Sequence, residues 1–249
     1  MNRIALITGA TAGIGEAMAE ALSEAGWSLI LTGRRTERLE LLAARLSVSV
    51  KTLSFDIRDR SATTLALDTL PEAWKNIELL VNNAGLSQGL DPVHQGNPED
   101  WDTMIDTNVK GLLTVSRIVS QWMIDRHIQG QIIHISSTAG KEVYPNGNVY
   151  CATKHAVEAI AKGMRMELNP YGIRVGTIAP GLTETEFSVV RFKGDTEKAA
   201  KVYAGFEPLK ATDIAEALLF MVNRPTHVNI ADLVIMPTAQ ASSTIVLKK

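Results

Sequence analysis

Tyr150 and Lys154 are two side chains of this sequence whose types and spacing suit proton transfer. They stand four residues apart in a predicted helix, so both lie on one helix face, about one turn from each other. A free phenol has a pKa of about 10, too high for acid–base work at neutral pH, and a neighbouring ammonium lowers that pKa by favouring the phenolate. The pair therefore predicts that Tyr150 gives a proton to a carbonyl oxygen or removes one from an alcohol.

A glycine-rich turn follows the first predicted strand. Gly9, Gly13 and Gly15 stand in the run Thr8-Gly9-Ala10-Thr11-Ala12-Gly13-Ile14-Gly15, which opens a predicted helix. Glycine lets the chain turn sharply and lets a pyrophosphate approach the amides at the helix N-terminus, whose partial positive charge attracts an anion. Three glycines can also form a plain strand-to-helix turn, but their place after the first strand favours dinucleotide binding.

The end of the second predicted strand indicates which dinucleotide is bound. A protein that binds NAD is expected to have an acidic side chain there, which accepts a hydrogen bond from the ribose 2′-hydroxyl. This chain has Gly33-Arg34-Arg35 instead. A guanidinium pairs with a 2′-phosphate, which a carboxylate would repel. We therefore predict NADP, with Arg34 as the first candidate for the phosphate and Arg35 as the second; the alternative is two ordinary surface arginines.

Short apolar runs alternate with helical patterns along the chain and would position these residues. The predicted strands are 3–8, 28–32, 50–55, 78–82, 131–135, 174–178 and 232–236, and the predicted helices are 14–25, 36–46, 61–70, 99–125, 149–168 and 212–223. Continuously apolar runs are typical of parallel strands covered by helices on both faces. The sequence thus predicts one α/β domain over 1–249, a doubly wound Rossmann fold with about seven parallel strands. Residues 180–206 fit no element, and we predict a substrate lid at about 182–206.

Composition excludes several classes of function. The chain has 249 residues, 45% of them apolar, and a formal charge of −2 without blocks of like charge, so neither nucleic acid nor a membrane is expected as a partner. The five histidines show no metal-ligand spacing, and we expect no metal. The single cysteine, Cys151, is expected to be a buried, inert thiol. The apolar run 4–7 is too short for a leader or a membrane span, so a cytoplasmic protein is expected.

The spacing G-x-x-x-G-x-G resembles that of the short-chain dehydrogenase/reductase family, and the likeness extends over essentially the whole chain. The other matching motifs, in order, are Asn82-Asn83-Ala84-Gly85, Asn108, Ser137, Tyr150-x-x-x-Lys154 and Pro180-Gly181. The resemblance implies that Ser137 hydrogen-bonds the substrate oxygen, that Lys154 holds the nicotinamide ribose, and that Asn108 holds a water connecting Lys154 to solvent. With Tyr150 these three residues would form the catalytic set.

The resemblance also implies a cofactor site. Its expected members are Gly9, Thr11, Gly13, Ile14, Gly15, Arg34, Arg35, Asp56, Ile57, Asn83, Ala84, Gly85, Tyr150, Lys154, Pro180, Gly181, Thr183 and Thr185. Asp56 would face the adenine, unless it is an ordinary cap of the following helix.

Three segments resemble the NADP-dependent 3-hydroxy acid dehydrogenase subgroup. They are Gly147-Asn148-Val149-Tyr150, Thr185-Glu186-Phe187 and Arg191-Phe192-Lys193-Gly194-Asp195. That subgroup acts on serine-like hydroxy acids and malonic semialdehyde, and related members reduce sulfoacetaldehyde. The implied substrate residues are Ser137, Tyr144, Tyr150, Arg191 and Lys193, with Arg191 on the acid group; the implied assembly is a homotetramer. Glu142, Tyr144 and the loop 182–185, which is about one residue shorter than usual, depart from the pattern, so the acid group stays open between carboxylate and sulfonate.

Two other classes of protein share part of this pattern. A non-catalytic NADP-binding sensor or scaffold would keep the glycine turn and Arg34, but it would not need Asn108, Ser137, Tyr150 and Lys154 together. An epimerase or dehydratase of a longer related family shares Y-x-x-x-K, yet it would ordinarily carry a larger C-terminal region. A reductase of neutral carbonyl compounds also remains open, because the spacing of Arg191 and Lys193 equally suits two solvated cations on the lid surface.

Overall fold

The computed structural model describes residues 3–249, whose strands form one parallel seven-stranded sheet in the order β3-β2-β1-β4-β5-β6-β7. The strands are β1 (Ile4–Thr8), β2 (Ser28–Gly33), β3 (Val50–Ser54), β4 (Leu79–Asn82), β5 (Gln131–Ile135), β6 (Arg174–Pro180) and β7 (Asp232–Ile235). The strand order reverses between β1 and β4, and such a switch point leaves a crevice at the carboxyl ends of the strands. The predicted doubly wound α/β fold is confirmed.

Helices cover both faces of the sheet. They are α1 (Gly13–Glu24), α2 (Thr36–Arg45), α3 (Arg60–Asp68), α4 (Pro98–Ile105), α5 (Leu112–Asp125), α6 (Asn148–Leu168), α7 (Phe187–Arg191), α8 (Thr196–Tyr203) and α9 (Ala211–Val222). The predicted helix 99–125 is interrupted by a π-helical stretch, Asp106–Gly111, which joins α4 to α5. Such wide turns are frequent at functional sites, and Asn108 lies in this one.

Successive residues of the inner strands face two separate apolar layers, because side chains alternate across a strand. In β1, Ile7 belongs to the layer that contains Leu22 of α1 and Leu218 of α9. Leu6 belongs to the opposite layer, which contains Val119 of α5. The two layers hold α1, α2 and α9 on one face and α3, α5 and α6 on the other, so the crevice at the strand ends is built on a rigid base.

The edge strands differ from the sequence-based expectation of burial on both faces. Lys51 and Thr52 of β3 and Val234 of β7 are exposed, whereas the five inner strands are almost wholly buried. An edge strand has one neighbour only, and the helices do not extend over its outer side.

The lid, residues 182–206, was predicted to contain no regular element, and this is wrong. It contains α7 and α8. The side chain of Asp195 accepts a hydrogen bond from the backbone N–H of Lys198 at 3.0 Å and so caps α8. Both helices are short, with Ser188 and Ala199 as their buried residues, so neither has the apolar periodicity that predicts a helix.

Within residues 3–249, none of the helices has the length and apolar character that crossing a membrane requires. The same part of the chain contains no group of three or more His, Cys, Asp or Glu side chains placed to hold a metal ion.

Candidate active site

A cleft of about 570 Å³ lies at the carboxyl end of the sheet, between the glycine turn (residues 8–15) and the lid. It is lined by the predicted cofactor residues Gly9, Thr11, Gly13, Ile14, Arg34, Arg35, Asp56, Ile57, Asn83, Ala84, Gly85, Tyr150, Lys154, Pro180, Gly181, Thr183 and Thr185, and by the predicted substrate residues Ser137, Tyr144 and Arg191. Three predicted residues, Gly15, Asn108 and Lys193, do not line it.

The glycine turn is packed directly against the end of β4. Gly9 and Gly13 have φ of 68° and 58°, in the left-handed region that favours glycine. A Cβ on Gly15 would lie 2.3 Å from the carbonyl oxygen of Gly9. The amide of Asn83 donates to the carbonyl oxygens of Thr8 and Gly9, both at 3.0 Å. The side chain of Asn83, the residue after β4, thereby fixes the turn. Gly13 and Ile14 at the N-terminus of α1 line the cleft.

The arginines after β2 differ in their surroundings. Arg34 is exposed and lines the cleft, and no side chain of residues 3–249 forms an ion pair with it. Arg35 donates from Nε and Nη2 to the hydroxyl of Thr11 at 3.2 and 2.8 Å, and its Nη1 lies 3.0 Å from Oε2 of Glu186. A cation without a protein partner is the better site for an incoming phosphate, so Arg34 stays the first candidate for that role.

Asp56 forms an ion pair with Arg58 at 2.6 Å, and the hydrogen bonds from Arg58 hold the pKa of this carboxyl below its usual range. It is not the cap of the following helix. Asp59 caps α3 instead, since its side chain accepts a hydrogen bond from the N–H of Ala62 at 2.9 Å.

Tyr150 and Lys154 lie near the start of α6, and both are almost fully buried, at 7% and 5% exposure. Nζ of Lys154 donates to the carbonyl oxygen of Ile135 at 2.8 Å and lies 5.9 Å from the centroid of the Tyr150 ring. Ser137 follows β5, and its hydroxyl lies 3.4 Å from the carbonyl oxygen of Pro180. The structure thus brings Ser137, Tyr150 and Lys154 together at one end of the cleft.

The side chains around Tyr150 shift its pKa upward, opposite to the effect of a neighbouring ammonium by itself. Burial raises the pKa of this phenol, and the nearby Tyr144 adds to the rise, whereas Arg191 and Ser137 oppose it. The cation that lies against the Tyr150 ring and lowers its pKa is Arg191 of the lid. The ammonium of Lys154 is itself desolvated: burial lowers its pKa to about 8, and the charge of Glu158 partly offsets that effect.

Asn108 connects two elements behind the cleft. Its Oδ1 accepts from the N–H of Leu86 at 2.9 Å, and its Nδ2 donates to the carbonyl oxygen of Leu86 at 2.8 Å and to the hydroxyl of Thr153 at 3.0 Å. Both polar atoms of the side chain therefore have protein partners, and they tie the segment after β4 to α6.

Arg191 of α7 lies against the rings at the catalytic end of the cleft. Its guanidinium carbon is 5.3 Å from the centroid of Tyr150 and 5.1 Å from that of Phe187, and its Nη2 donates to the hydroxyl of Tyr144 at 3.1 Å. Its Nε is buried and has no hydrogen-bond partner among residues 3–249. The guanidinium thus lies between the rings of Tyr150 and Phe187 with one of its donors unsatisfied.

Lys193 does not share this environment, because its ammonium forms an ion pair with Asp100 at 2.9 Å, away from the cleft. It fastens the lid to α4, and we therefore remove it from the substrate residues.

The C-terminal segment supplies cleft residues that the sequence reasoning missed. Oε1 of Gln240 accepts from the N–H of Leu182 at 2.8 Å, and the N–H of Ser243 donates to Oε2 of Glu142 at 2.7 Å. Gln240 and Ser243 both line the cleft. No motif marks them, because a contact between residues 58 or 101 positions apart leaves no local signal.

Comparisons with known proteins identify the family of this chain. A family model described as short chain dehydrogenase matches residues 3–195. The chain is 47% identical over 239 residues to an NADP-dependent 3-hydroxy acid dehydrogenase of Salmonella typhi, covering 96% of each chain. It is 44% identical over 245 residues to sulfoacetaldehyde reductase 2 of Chromohalobacter salexigens, covering 98% of this chain and 97% of the relative. Among solved structures, the closed form of serine dehydrogenase complexed with NADP⁺ has a TM-score of 0.92, with 44% identity and 99% coverage of both chains.

Proposed function

The chain belongs to the short-chain dehydrogenase family, and from this premise we propose that it is an oxidoreductase that transfers a hydride between NADP(H) and a small acid-bearing aldehyde or hydroxy acid. The observation that carries this proposal is the position of Arg191, whose guanidinium lies 5.3 Å from the ring of Tyr150. A fixed cation at that distance from the proposed proton donor suits a substrate whose acid group is close to its reacting carbon.

The residues of the cleft fit a dinucleotide with a 2′-phosphate. Gly13 and Ile14 at the N-terminus of α1 line the cleft, where their backbone amides would face a pyrophosphate. Arg34, which lines the cleft without an ion pair among residues 3–249, would bind the 2′-phosphate, and Arg35 would support it. When bound, NADP(H) supplies or accepts the hydride.

Tyr150 is the proposed general acid and base. In the reducing direction its phenol and the hydroxyl of Ser137 hydrogen-bond the carbonyl oxygen, and Tyr150 donates its proton to that oxygen as the carbon receives the hydride. In the oxidising direction Tyr150 must first lose its proton to solvent, and its phenolate then accepts the proton of the alcohol. A pKa raised by burial keeps the phenol protonated at neutral pH, which suits proton donation. Lys154 would hold the nicotinamide ribose, and Asn108 would fix the helix that carries both residues.

The acid group would bind the guanidinium of Arg191, which lines the cleft. A carboxylate or a sulfonate accepts such a charge-assisted hydrogen bond. The names of the relatives cover both groups, since one is a 3-hydroxy acid dehydrogenase and another a sulfoacetaldehyde reductase. The lid would close over this end of the cleft, because Arg191 and Phe187 both belong to its helix α7.

Turnover tests the proposal directly. The protein is incubated with NADPH and either malonic semialdehyde, sulfoacetaldehyde or the neutral propanal, and the loss of reduced-nicotinamide absorbance is followed. We expect turnover with an acidic aldehyde and little with propanal. Tyr150→Phe should lower kcat by about 10²–10⁴-fold, the usual contribution of a positioned acid–base group. NADPH binding without turnover of any aldehyde would identify a sensor or scaffold, and unchanged activity of Tyr150→Phe would show that another group moves the proton.

A pair of lid variants tests the role of Arg191. Arg191→Gln should raise KM for the acidic aldehyde by about ten- to a hundredfold, the value of a hydrogen bond to a charged group, and leave the rate with propanal nearly unchanged. Lys193→Gln is the matched variant, because Lys193 pairs with Asp100 outside the cleft. A loss of acid preference in Lys193→Gln rather than in Arg191→Gln would contradict the assignment.

We also propose that the protein is a cytoplasmic homotetramer. The family resemblance implies assembly through the predicted helices 99–125 and 149–168. Ile105 of α4, Leu113 of α5 and Met166 of α6 lie in these segments and are exposed apolar side chains. The buried, unpaired thiol of Cys151 is compatible with a reducing compartment. Sedimentation equilibrium at micromolar concentration tests the assembly, and a monomer would contradict it.

A further inference from the structure

Glu186 of the lid forms ion pairs with two arginines of a distant segment. Its Oε2 lies 3.0 Å from Nη1 of Arg35, and its Oε1 lies 2.8 Å from Nη1 of Arg38. Arg35 and Arg38 stand at the start of α2, whereas Glu186 immediately precedes α7, so the contacts join residues 151 and 148 positions apart. We call these three side chains the clasp.

The clasp spans the part of the cleft above the glycine turn. Arg35 is anchored to that turn through its hydrogen bonds to Thr11. Thr185, the residue before Glu186, lies so close to the turn that a Cβ on Gly13 would be 3.1 Å from its side chain. The lid therefore crosses the glycine turn at Thr185 and is fastened beyond it at Glu186. A pyrophosphate at the N-terminus of α1 would lie beneath this crossing.

The ion pairs of the clasp do not involve Arg34, the residue proposed to bind the 2′-phosphate. Both carboxylate oxygens of Glu186 are used, and hydrogen bonds from Arg38 and Arg35 hold the pKa of this carboxyl below its usual range, so it is ionised at neutral pH. Arg34 lies outside the clasp. Arg35 and Arg38 therefore hold the lid, whereas Arg34 is the first candidate for binding the 2′-phosphate.

We propose that the clasp latches the lid over the bound dinucleotide and must open before the cofactor leaves. Glu186 is then a positioning residue, because it acts through the lid and the arginines and not on the reacting atoms. The three side chains are 43–49% exposed, so each ion pair is weak and the latch opens readily, as turnover requires. The inference rests on the cofactor site of the proposed function and is independent of the substrate.

Release rates of the cofactor test the latch without turnover. NADPH and, in a separate series, NADH are displaced from the full-length protein in a stopped-flow instrument, and the fluorescence of the reduced nicotinamide is followed. The variants are Glu186→Gln, Arg38→Gln and the double variant. Glu184→Gln is the matched control, because this exposed residue of the same lid segment does not line the cleft.

Glu186→Gln and Arg38→Gln should each raise the dissociation rate of both dinucleotides, by about tenfold at most for exposed ion pairs. The dissociation rate of the double variant should rise by less than the product of the two single increases, because either substitution already breaks the ion pair between Glu186 and Arg38. The difference from wild type should shrink at about 0.5 M KCl, since salt screens exposed charges.

Unchanged or slower release from Glu186→Gln would overturn the latch, and so would an equal acceleration in Glu184→Gln. Tighter binding of NADPH alone would also overturn it, because Glu186 would then compete with the 2′-phosphate for the arginines. Each of these results leaves dinucleotide binding, and hence the proposed function, intact. A protein that binds neither dinucleotide would overturn both proposals.

Discussion

The charge state of the catalytic end is decided by side chains that are distant in sequence. The spacing of Tyr150 and Lys154 predicts a proton-transfer pair, but it does not reveal that both groups are almost completely buried. Burial raises the pKa of the phenol and lowers that of the ammonium, because each charged form loses water. Arg191, which the lid brings to the Tyr150 ring, opposes the rise.

The pH dependence of reduction should report Lys154. Its pKa is about 8, so the ammonium is present below that pH and is lost as the pH rises through it. We expect kcat/KM for the acidic aldehyde to fall above about pH 8. The charge of Glu158 raises this pKa, so Glu158→Gln should move the fall to lower pH. The measurement is kcat/KM from pH 6 to 10.

Glu167→Gln is the control for this profile, because Glu167 is an exposed carboxylate on the same helix. A profile that stays flat to pH 10, or one that Glu158→Gln and Glu167→Gln shift equally, would contradict the role of Lys154.

At the scale of elements, the inner strands and the main helices follow from apolar periodicity, whereas the glycine turn depends on a contact between elements. The spacing of its glycines indicates an anion-binding turn. The close approach of Asn83, the residue after β4, explains why a side chain is excluded at Gly15, since its amide and the carbonyl oxygen of Gly9 occupy that space. The short helices of the lid escaped prediction, because they pack too few apolar residues to show a periodic pattern.

Two glycine-to-alanine substitutions separate helix propensity from this packing. In Gly15→Ala the new Cβ would lie 2.3 Å from the carbonyl oxygen of Gly9, so the turn must move, and we expect the Kd for NADPH to rise more than about tenfold. In Gly163→Ala the new Cβ meets no atom of residues 3–249 within 4 Å apart from its own helix backbone, and helix α6 should gain about 0.5–1 kcal/mol of stability.

Fluorescence titration with NADPH and urea unfolding measure the two effects. Equal NADPH affinity in Gly15→Ala and wild type would show that the turn tolerates a side chain, contrary to the packing described above.

At the scale of the whole molecule, stability in acid should depend on His134 of the inner strand β5. Burial lowers its pKa to about 3, with smaller contributions from the charges of Arg165 and Lys154. Its Nδ1 lies 3.1 Å from Nδ2 of Asn82, so Nδ1 accepts a hydrogen bond and the ring is neutral. In the unfolded chain a histidine has a pKa of about 6.5.

Between about pH 6.5 and 3 the unfolded chain therefore binds a proton that the native protein does not. The free energy of unfolding should fall as the pH drops through this window, by at most about 5 kcal/mol from this group. His134→Asn removes the titration and should flatten the dependence, measured by urea unfolding from pH 4.5 to 7.5. An equally steep dependence in His134→Asn would assign the acid sensitivity to other groups.

The sequence by itself determined the alternation of elements, the glycine turn and the tyrosine–lysine pair, because each depends on residues within about one or two turns of each other. Only the tertiary structure decided the direction of the Tyr150 pKa shift, the separation of Arg191 from Lys193, the cleft residues of the C-terminal segment and the clasp at Glu186. These features arise where segments far apart in the chain meet. Burial and ion pairing depend on the neighbours in space, which local spacing does not encode.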